Sequence, residues 1–247
     1  MRLMISVVSV VEAREAMLGG AEILDVKNPA EGSLGAQSPR VIREIKNLSS
    51  GKVEVSAAIG DMPNLPGTAA LAALGAALCG ADYVKVGLHG PRNEVEALTL
   101  LREVHLAVKE LTTSVIAAGY ADFRRAGALN PDCLPRVAAS AGVKGCLLDT
   151  AIKDGHTLFD FLNPKALRSL AEQAHAAGLL FGLAGALLEK DLSLARELGA
   201  DVVGLRTAAC RNNQRSGPLE AAYIQRLRQL ITPSMDQTML EEPRQPA

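Results

Sequence analysis

The chain has no tryptophan and only three tyrosines and four phenylalanines among 247 residues, so large aromatic side chains cannot organise its core. Ala, Val, Leu and Ile must fill it, a composition that suits helices packed closely on strands. Cysteine is scarce as well. Cys79, Cys133, Cys146 and Cys210 stand far apart with no CxxC or CxxH grouping, which argues against a disulfide framework and a zinc site and for reduced thiols. No charge of one sign dominates. The formal net charge is −1 with acids and bases interspersed, so neither nucleic acid nor an anionic membrane meets a basic field. Long apolar runs are missing too: Leu3 to Val11 is too short to cross a bilayer, and Glu12, Arg14 and Glu15 follow it without a cleavage pattern. A cytoplasmic protein is expected.

What is present is repetition. Short runs rich in β-branched and aliphatic residues begin near Met4, Glu22, Val53, Tyr83, Thr113, Gly145, Leu179 and Val202, with helical spacing of apolar residues between them. Asn130-Pro131 and Asn163-Pro164 each offer a capping oxygen followed by proline at the first helical position. Glycine recurs where a helix should stop and a strand begin, as in GGAEILDV, CGADYVKV and LGADVVGL. Eight such units without a second-domain break predict an α/β protein folded as one closed (β/α)8 barrel of the TIM type over residues 1–231. An open doubly wound sheet would carry a glycine-rich phosphate fingerprint after its first strand, and Ser9-Val10-Val11-Glu12 has none. Residues 232–247, TPSMDQTMLEEPRQPA, are too polar to dock firmly and are expected to form a disordered tail.

Alternate side chains of a barrel strand face inward, so Asp25 and Lys27 enter the barrel mouth from strand two, Lys85 from strand four and Asp149 from strand six. Residues from alternate strands share a layer, so these can converge at one height, with Lys153 overhanging from the loop after Asp149. The structural alternative is that Lys27 merely pairs with Asp25, and Lys85 with Asp149. Burying charge costs about what a good pairing returns, so stability alone gives little reason to place several lysines there. A buried lysine among other cations becomes a nucleophilic amine able to condense with a carbonyl, and nearby carboxylates can carry protons for it.

Gly182 and Gly185 at the end of strand seven, and Gly204 and Arg206 at the end of strand eight, occupy the positions where such barrels commonly bind phosphate. The alternative is that these glycines only permit tight packing. Loop two, Asn28 to Gly35, is long enough to fold over a ligand or hold a second phosphate, whereas loop three, Gly60 to Gly67, is stiffened by prolines. Asp122 is a weaker candidate that equally suits a helix cap. His89, His105, His156 and His175 fall in no metal or triad pattern, so neither a metal nor a cofactor is expected.

DVKNPAEGSLGA, ADYVKVGL, AAGYAD and LLDTAIKDGHTLFDF, in this order, resemble the (5-formylfuran-3-yl)methyl phosphate synthases of methanofuran biosynthesis, also called 4-(hydroxymethyl)-2-furancarboxaldehyde phosphate synthases. The resemblance runs from about Met4 to Arg228. It implies a β/α-barrel lyase that joins two molecules of glyceraldehyde 3-phosphate through a lysine Schiff base, with loss of phosphate and water. It puts the Schiff base on Lys27 of DVKNP, and Asp25, Lys85, Asp149 and Lys153 on the family's active-site positions. The stretch LRTAACRNNQRSG matches only in general character, which leaves the roles of Arg206 and Arg211 open. A methanogenic archaeon or a methylotrophic bacterium is implied as the source, and a phosphorylated triose as the partner, with a homo-oligomer left open. Two other functions fit the same residues: another class I aldolase-type barrel acting on a phosphosugar, and a non-catalytic phosphosugar-binding protein.

Overall fold

The computed structural model describes residues 1–232; the tail expected over 232–247 lies, apart from Thr232, outside the described residues. Eight strands alternate with helices: β1 Arg2–Val7, β2 Ile23–Val26, β3 Glu54–Asp61, β4 Tyr83–Gly87, β5 Ser114–Tyr120, β6 Gly145–Asp149, β7 Leu180–Leu183 and β8 Val202–Leu205. Helices α1 Val10–Leu18, α2 Pro39–Ser49, α3 Pro66–Leu78, α4 Glu94–Val108, α5 Phe123–Ala126, α6 Leu134–Ala141, α7 Pro164–Ala176, α8 Leu192–Glu197 and α9 Ala221–Ile231 accompany them. Each strand pairs in parallel with the next, and β8 pairs with β1, which closes the barrel expected from the repeat.

Cap chemistry sets the helix starts. Asn163 Oδ1 accepts from Ala166 N at 2.9 Å ahead of α7, and Asn93 Oδ1 accepts from Glu96 N at 3.0 Å ahead of α4. Asn130 also caps, accepting from Asp132 N at 3.1 Å, but it opens a 3-10 turn, Pro131–Cys133, that leads into α6 three residues later than Asn130-Pro131 suggests.

Two apolar layers result from the alternation along the strands. Leu3, Ile5, Leu24, Val26, Val84, Val86, Leu148 and Phe181 face outward and join the helices in the main core. Met4, Ile23, Ala58, Ala118, Leu147 and Val202 face inward and fill the barrel. Each full burial of a Leu or Ile contributes about 1.5–3 kcal/mol, so slipping a strand by one residue would cost several such terms at once. The register is thereby fixed, with Asp25 opposite Ser6 and Ser56, Lys85 opposite Ala58, and Asp149 opposite Tyr120. Ser6, Asp25, Lys85 and Asp149 lie toward the carboxyl ends of the strands, with Lys27 just beyond β2, whereas the inward polar residues Arg2, Glu54 and Tyr83 cluster at the amino ends.

Loop two closes part of that end. Leu34 is fully buried among the inward-facing residues, beside Tyr120, rather than exposed on a mobile arch. Its N–H donates to Asp61 Oδ1 at 3.2 Å, and Ser33 Oγ donates to Thr150 O at 2.8 Å, so the loop is tied to both β3 and the end of β6. Tyr120 donates from its hydroxyl to the same Asp61 carboxylate. Gly87 allows this: a side chain there would collide with the Tyr120 hydroxyl.

Candidate active site

Asp25, Lys27, Lys85, Asp149 and Lys153 line one cleft at the carboxyl ends of the strands, of about 290 Å³ counting space open to solvent. Asp25, Lys27, Lys85 and Asp149 are each 5% exposed or less. Of the two salt bridges that the sequence offered as the structural alternative, Lys27 with Asp25 is present only as a long contact, and Lys85 takes a different partner. Lys85 Nζ lies 2.7 Å from Asp25 Oδ1, not beside Asp149, and Lys153 Nζ takes Asp149 Oδ1 at 2.5 Å. Lys27 Nζ sits between the two carboxylates, 3.7 Å from Asp25 Oδ2 and 3.8 Å from Asp149 Oδ2, in hydrogen-bond contact with neither. The Lys85 contact is an ion pair off the hydrogen-bonding direction of Asp25 Oδ1, while Ser6 Oγ donates to Oδ2 at 3.1 Å.

These distances govern the charge states. For Asp149, burial would raise the carboxyl, but Lys153 and then Lys27 outweigh it and hold the group well below the usual carboxylate range. Asp25 is likewise lowered against its burial, by Lys85 first and Lys27 second. Burial is the largest influence on Lys27 and lowers it, Asp149 and Asp25 oppose that, and Lys85 and Lys153 reinforce it; the ammonium ends at about 8, down from 10.5. Roughly a tenth of Lys27 is then free amine at pH 7, against well under a thousandth at the ordinary value. The cleft therefore holds two ionised carboxylates, able to accept protons, around one amine that is partly unprotonated.

Of the four residues proposed as an anion cradle, Gly185 and Gly204 line the cleft and Gly182 does not. Gly182 lies one layer lower, where a Cβ would come within 2.9 Å of Leu147 Cδ1, so close packing accounts for it. Gly185 has φ +97° and the following Ala186 φ 54°, a left-handed pair at the rim in which the alanine is strained. Arg206 lines the cleft but its guanidinium is engaged: it forms a two-pronged ion pair with Glu12, donates to Ser6 O at 3.2 Å, and donates through Nε to Arg215 O at 3.2 Å. Asp122 does not cap α5. Its two oxygens accept from Ala151 N at 2.7 Å and Ile152 N at 2.9 Å, which fixes the loop carrying Lys153.

Several residues of the site were missed in the sequence. Ser6 shares the inward register of Met4 and was legible in principle from the period of two. Thr150, which accepts from Lys153 Nζ at 3.0 Å, follows directly on Asp149. Arg215 lies in an irregular stretch with no period to read. A separate, almost wholly apolar void lies deeper in the barrel, bordered by Met4, Ile23, Ile116, Leu147 and Val202 and touching the same Lys85; it offers few groups for chemistry.

A closed parallel barrel with ionised carboxylates and lysines gathered at the carboxyl ends of its strands defines a β/α-barrel enzyme. Comparison with known proteins narrows this. The 4-HFC-P synthase family model matches residues 3–228, and the chain belongs to that family. It is 46% identical over 233 residues to the (5-formylfuran-3-yl)methyl phosphate synthase of Methanocaldococcus jannaschii, covering 93% of this chain and 99% of that protein. To the protein of the same name from Methanothermobacter thermautotrophicus it is 48% identical, covering 94% and 99%. Among solved structures, 3-hexulose-6-phosphate synthase superposes with a TM-score of 0.63 at 19% identity, covering 94% of this chain and 100% of that one. Phosphoribosyl anthranilate isomerase from Thermus thermophilus gives 0.61 at 19%, covering 94% and 98%. These two share the fold. No helix among the described residues is long and apolar enough to cross a membrane.

Proposed function

We propose that the chain is a Schiff-base-forming lyase of methanofuran biosynthesis that makes (5-formylfuran-3-yl)methyl phosphate from two molecules of glyceraldehyde 3-phosphate. One phosphate and two waters leave, which balances the atoms. The observation that carries this reading is the position of Lys27: a buried amine lowered to about 8, standing between two carboxylates that are each paired to a different lysine.

The Lys27 amine attacks the aldehyde carbon of one triose phosphate, and water leaves as the imine forms. The protonated imine acidifies the adjacent carbon. Asp149, ionised and 3.8 Å from Lys27, takes that proton and an enamine results. Asp25 holds Lys85 in place and, through it, the field around the acceptor aldehyde. Lys85 and Lys153 are donors for oxygens that gain negative charge, on the acceptor carbonyl and on the departing phosphate. The phosphate cradle of this reading is the rim around Gly185 and Gly204.

Incubation with glyceraldehyde 3-phosphate, followed by mass analysis and ultraviolet absorbance, tests the activity, because a furan absorbs and an open-chain aldol does not. A phosphorylated open-chain product would make the chain an aldolase instead. Absence of any product, with no imine trapped by borohydride, would leave only phosphosugar binding.

A further inference from the structure

The cleft is lined by five basic residues, Lys27, Lys85, Lys153, Arg206 and Arg215, and two acidic ones, Asp25 and Asp149. Arg206 is neutralised from outside by Glu12. Of the four that remain, Lys85 is held by Asp25, Lys153 by Asp149, and Lys27 stands between both carboxylates. Four positive charges against two negative leave an excess of two when every lysine is protonated, close to the charge of one phosphate monoester near neutral pH. Arg215 is the cation of the cleft that has no carboxylate within ion-pair distance among the described residues.

Its placement is built rather than accidental. The chain leaves β8, and Cys210 and Leu219 then pair antiparallel, which pinches off the loop between them. Asn212 and Asn213 both turn at φ 54°, reversing the loop. Arg206, 9% exposed, holds it from beneath: Nε–H donates to Arg215 O at 3.2 Å and Nη2 to Gly217 O at 3.5 Å. The backbone of Arg215 is thereby held at the mouth, and the residue lines the cleft together with Gly185 and Ala186. Burial lowers the Arg215 guanidinium from its ordinary value, and Asp149 opposes this without reversing it. A guanidinium stays protonated under such conditions, so the site holds a partly desolvated charge that an anion would compensate.

We propose that Arg215 binds the phosphate group of a triose phosphate substrate, and that the Arg206–Glu12 pair is the support that aims it. The planar fork of a guanidinium matches two phosphate oxygens, whereas the lysines of the cleft are held by carboxylates. The assignment rests on the triose phosphate substrate proposed above and deepens it by naming the residue that reads the phosphate.

The test uses the full chain with Arg215→Ala and Arg215→Lys. Borohydride trapping is measured against concentration for glyceraldehyde 3-phosphate and for unphosphorylated glyceraldehyde, and binding of inorganic phosphate is measured by calorimetry. Arg215→Ala is expected to raise the half-saturating concentration of glyceraldehyde 3-phosphate roughly 10- to 100-fold and to weaken inorganic phosphate by a similar factor. Trapping of glyceraldehyde should fall far less than trapping of glyceraldehyde 3-phosphate. Arg215→Lys should fall between, and added guanidinium ion should restore part of the loss in the alanine variant. Equal loss with both aldehydes would reduce Arg215 to a prop for the loop and overturn the proposal, as would no loss with either. If the unmutated chain traps neither aldehyde, the Schiff-base reading fails by itself, and the calorimetric comparison still decides whether Arg215 binds phosphate.

Discussion

Lys85 Nζ stands 2.7 Å from Asp25 Oδ1 at the floor of the cleft, and this pairing draws Asp25 away from Lys27, which keeps 3.7 Å from the other oxygen of the same carboxylate. A closer Asp25 would stabilise the Lys27 ammonium and suppress the amine. Lys153 does the same to Asp149 on the opposite side. Burial lowers the Lys27 ammonium most, and what its neighbours are bonded to limits how far they oppose it.

Borohydride reduction in the presence of glyceraldehyde 3-phosphate should label Lys27, and Lys27→Ala should take no label. The trapping rate should climb as pH rises through about 8 and level off above it, because only the unprotonated amine attacks. Peptide mapping that placed the label on Lys85 or Lys153 would move the nucleophile.

Lys27→Met should stabilise the fold. The ammonium is lowered from 10.5 to about 8, so between those values the unfolded chain holds a proton that the folded chain has released, and stability rises with pH across that window. Below about 8 the full penalty stands. Methionine removes it while Asp25 and Asp149 keep Lys85 and Lys153, for a gain of about 1–3 kcal/mol at neutral pH that fades above pH 10. Melting temperatures at pH 7 and pH 10 check this; an unchanged or lower value at pH 7 counts against the lowered Lys27.

Lys85→Ala should still form the imine yet make furan about 10²–10³ times more slowly, the usual effect of removing an electrophilic stabiliser. It should also destabilise by several kcal/mol, since Asp25 is left buried with the Ser6 hydroxyl and only the distant Lys27 as a cation. Furan made at the unmutated rate by a folded variant would refute this division of roles.

Asp122→Ala should lower turnover by releasing the two backbone N–H groups that fix the loop of Lys153. A loss of roughly 10- to 100-fold is expected, and adding Lys153→Ala should cost little more, because both changes act on one group. Losses that multiply in the double variant would separate the two residues.

The inward-facing residues of the barrel were legible because the strands alternate strictly: Asp25 with Ile23, Lys85 with Tyr83, and Asp149 with Leu147 each share a face by position alone. Which carboxylate Lys85 meets was not. Pairing across the barrel depends on the stagger between strands two, four and six, which no local pattern records. Arg206 illustrates a different loss. Its place after strand eight suggested a phosphate ligand, but the carboxylate that occupies it, Glu12, lies 194 residues earlier in the chain. Leu34 read as part of a loop free to fold over a ligand and is instead buried within the barrel, where its side chain completes the inner layer.

The grip of Arg206 on Glu12 joins the beginning of α1 to the end of β8, across the last seam of the ring. During synthesis, the strands bearing Asp25, Lys85 and Asp149 all emerge before either side of that seam can meet. Such a contact is among the most distant the chain contains, and contacts of this kind form slowly because a long loop must close first. The support for the mouth is consequently completed only when nearly the whole polypeptide is available, and a nascent chain halted before β8 would carry every lysine of the cleft without the clasp that finishes it.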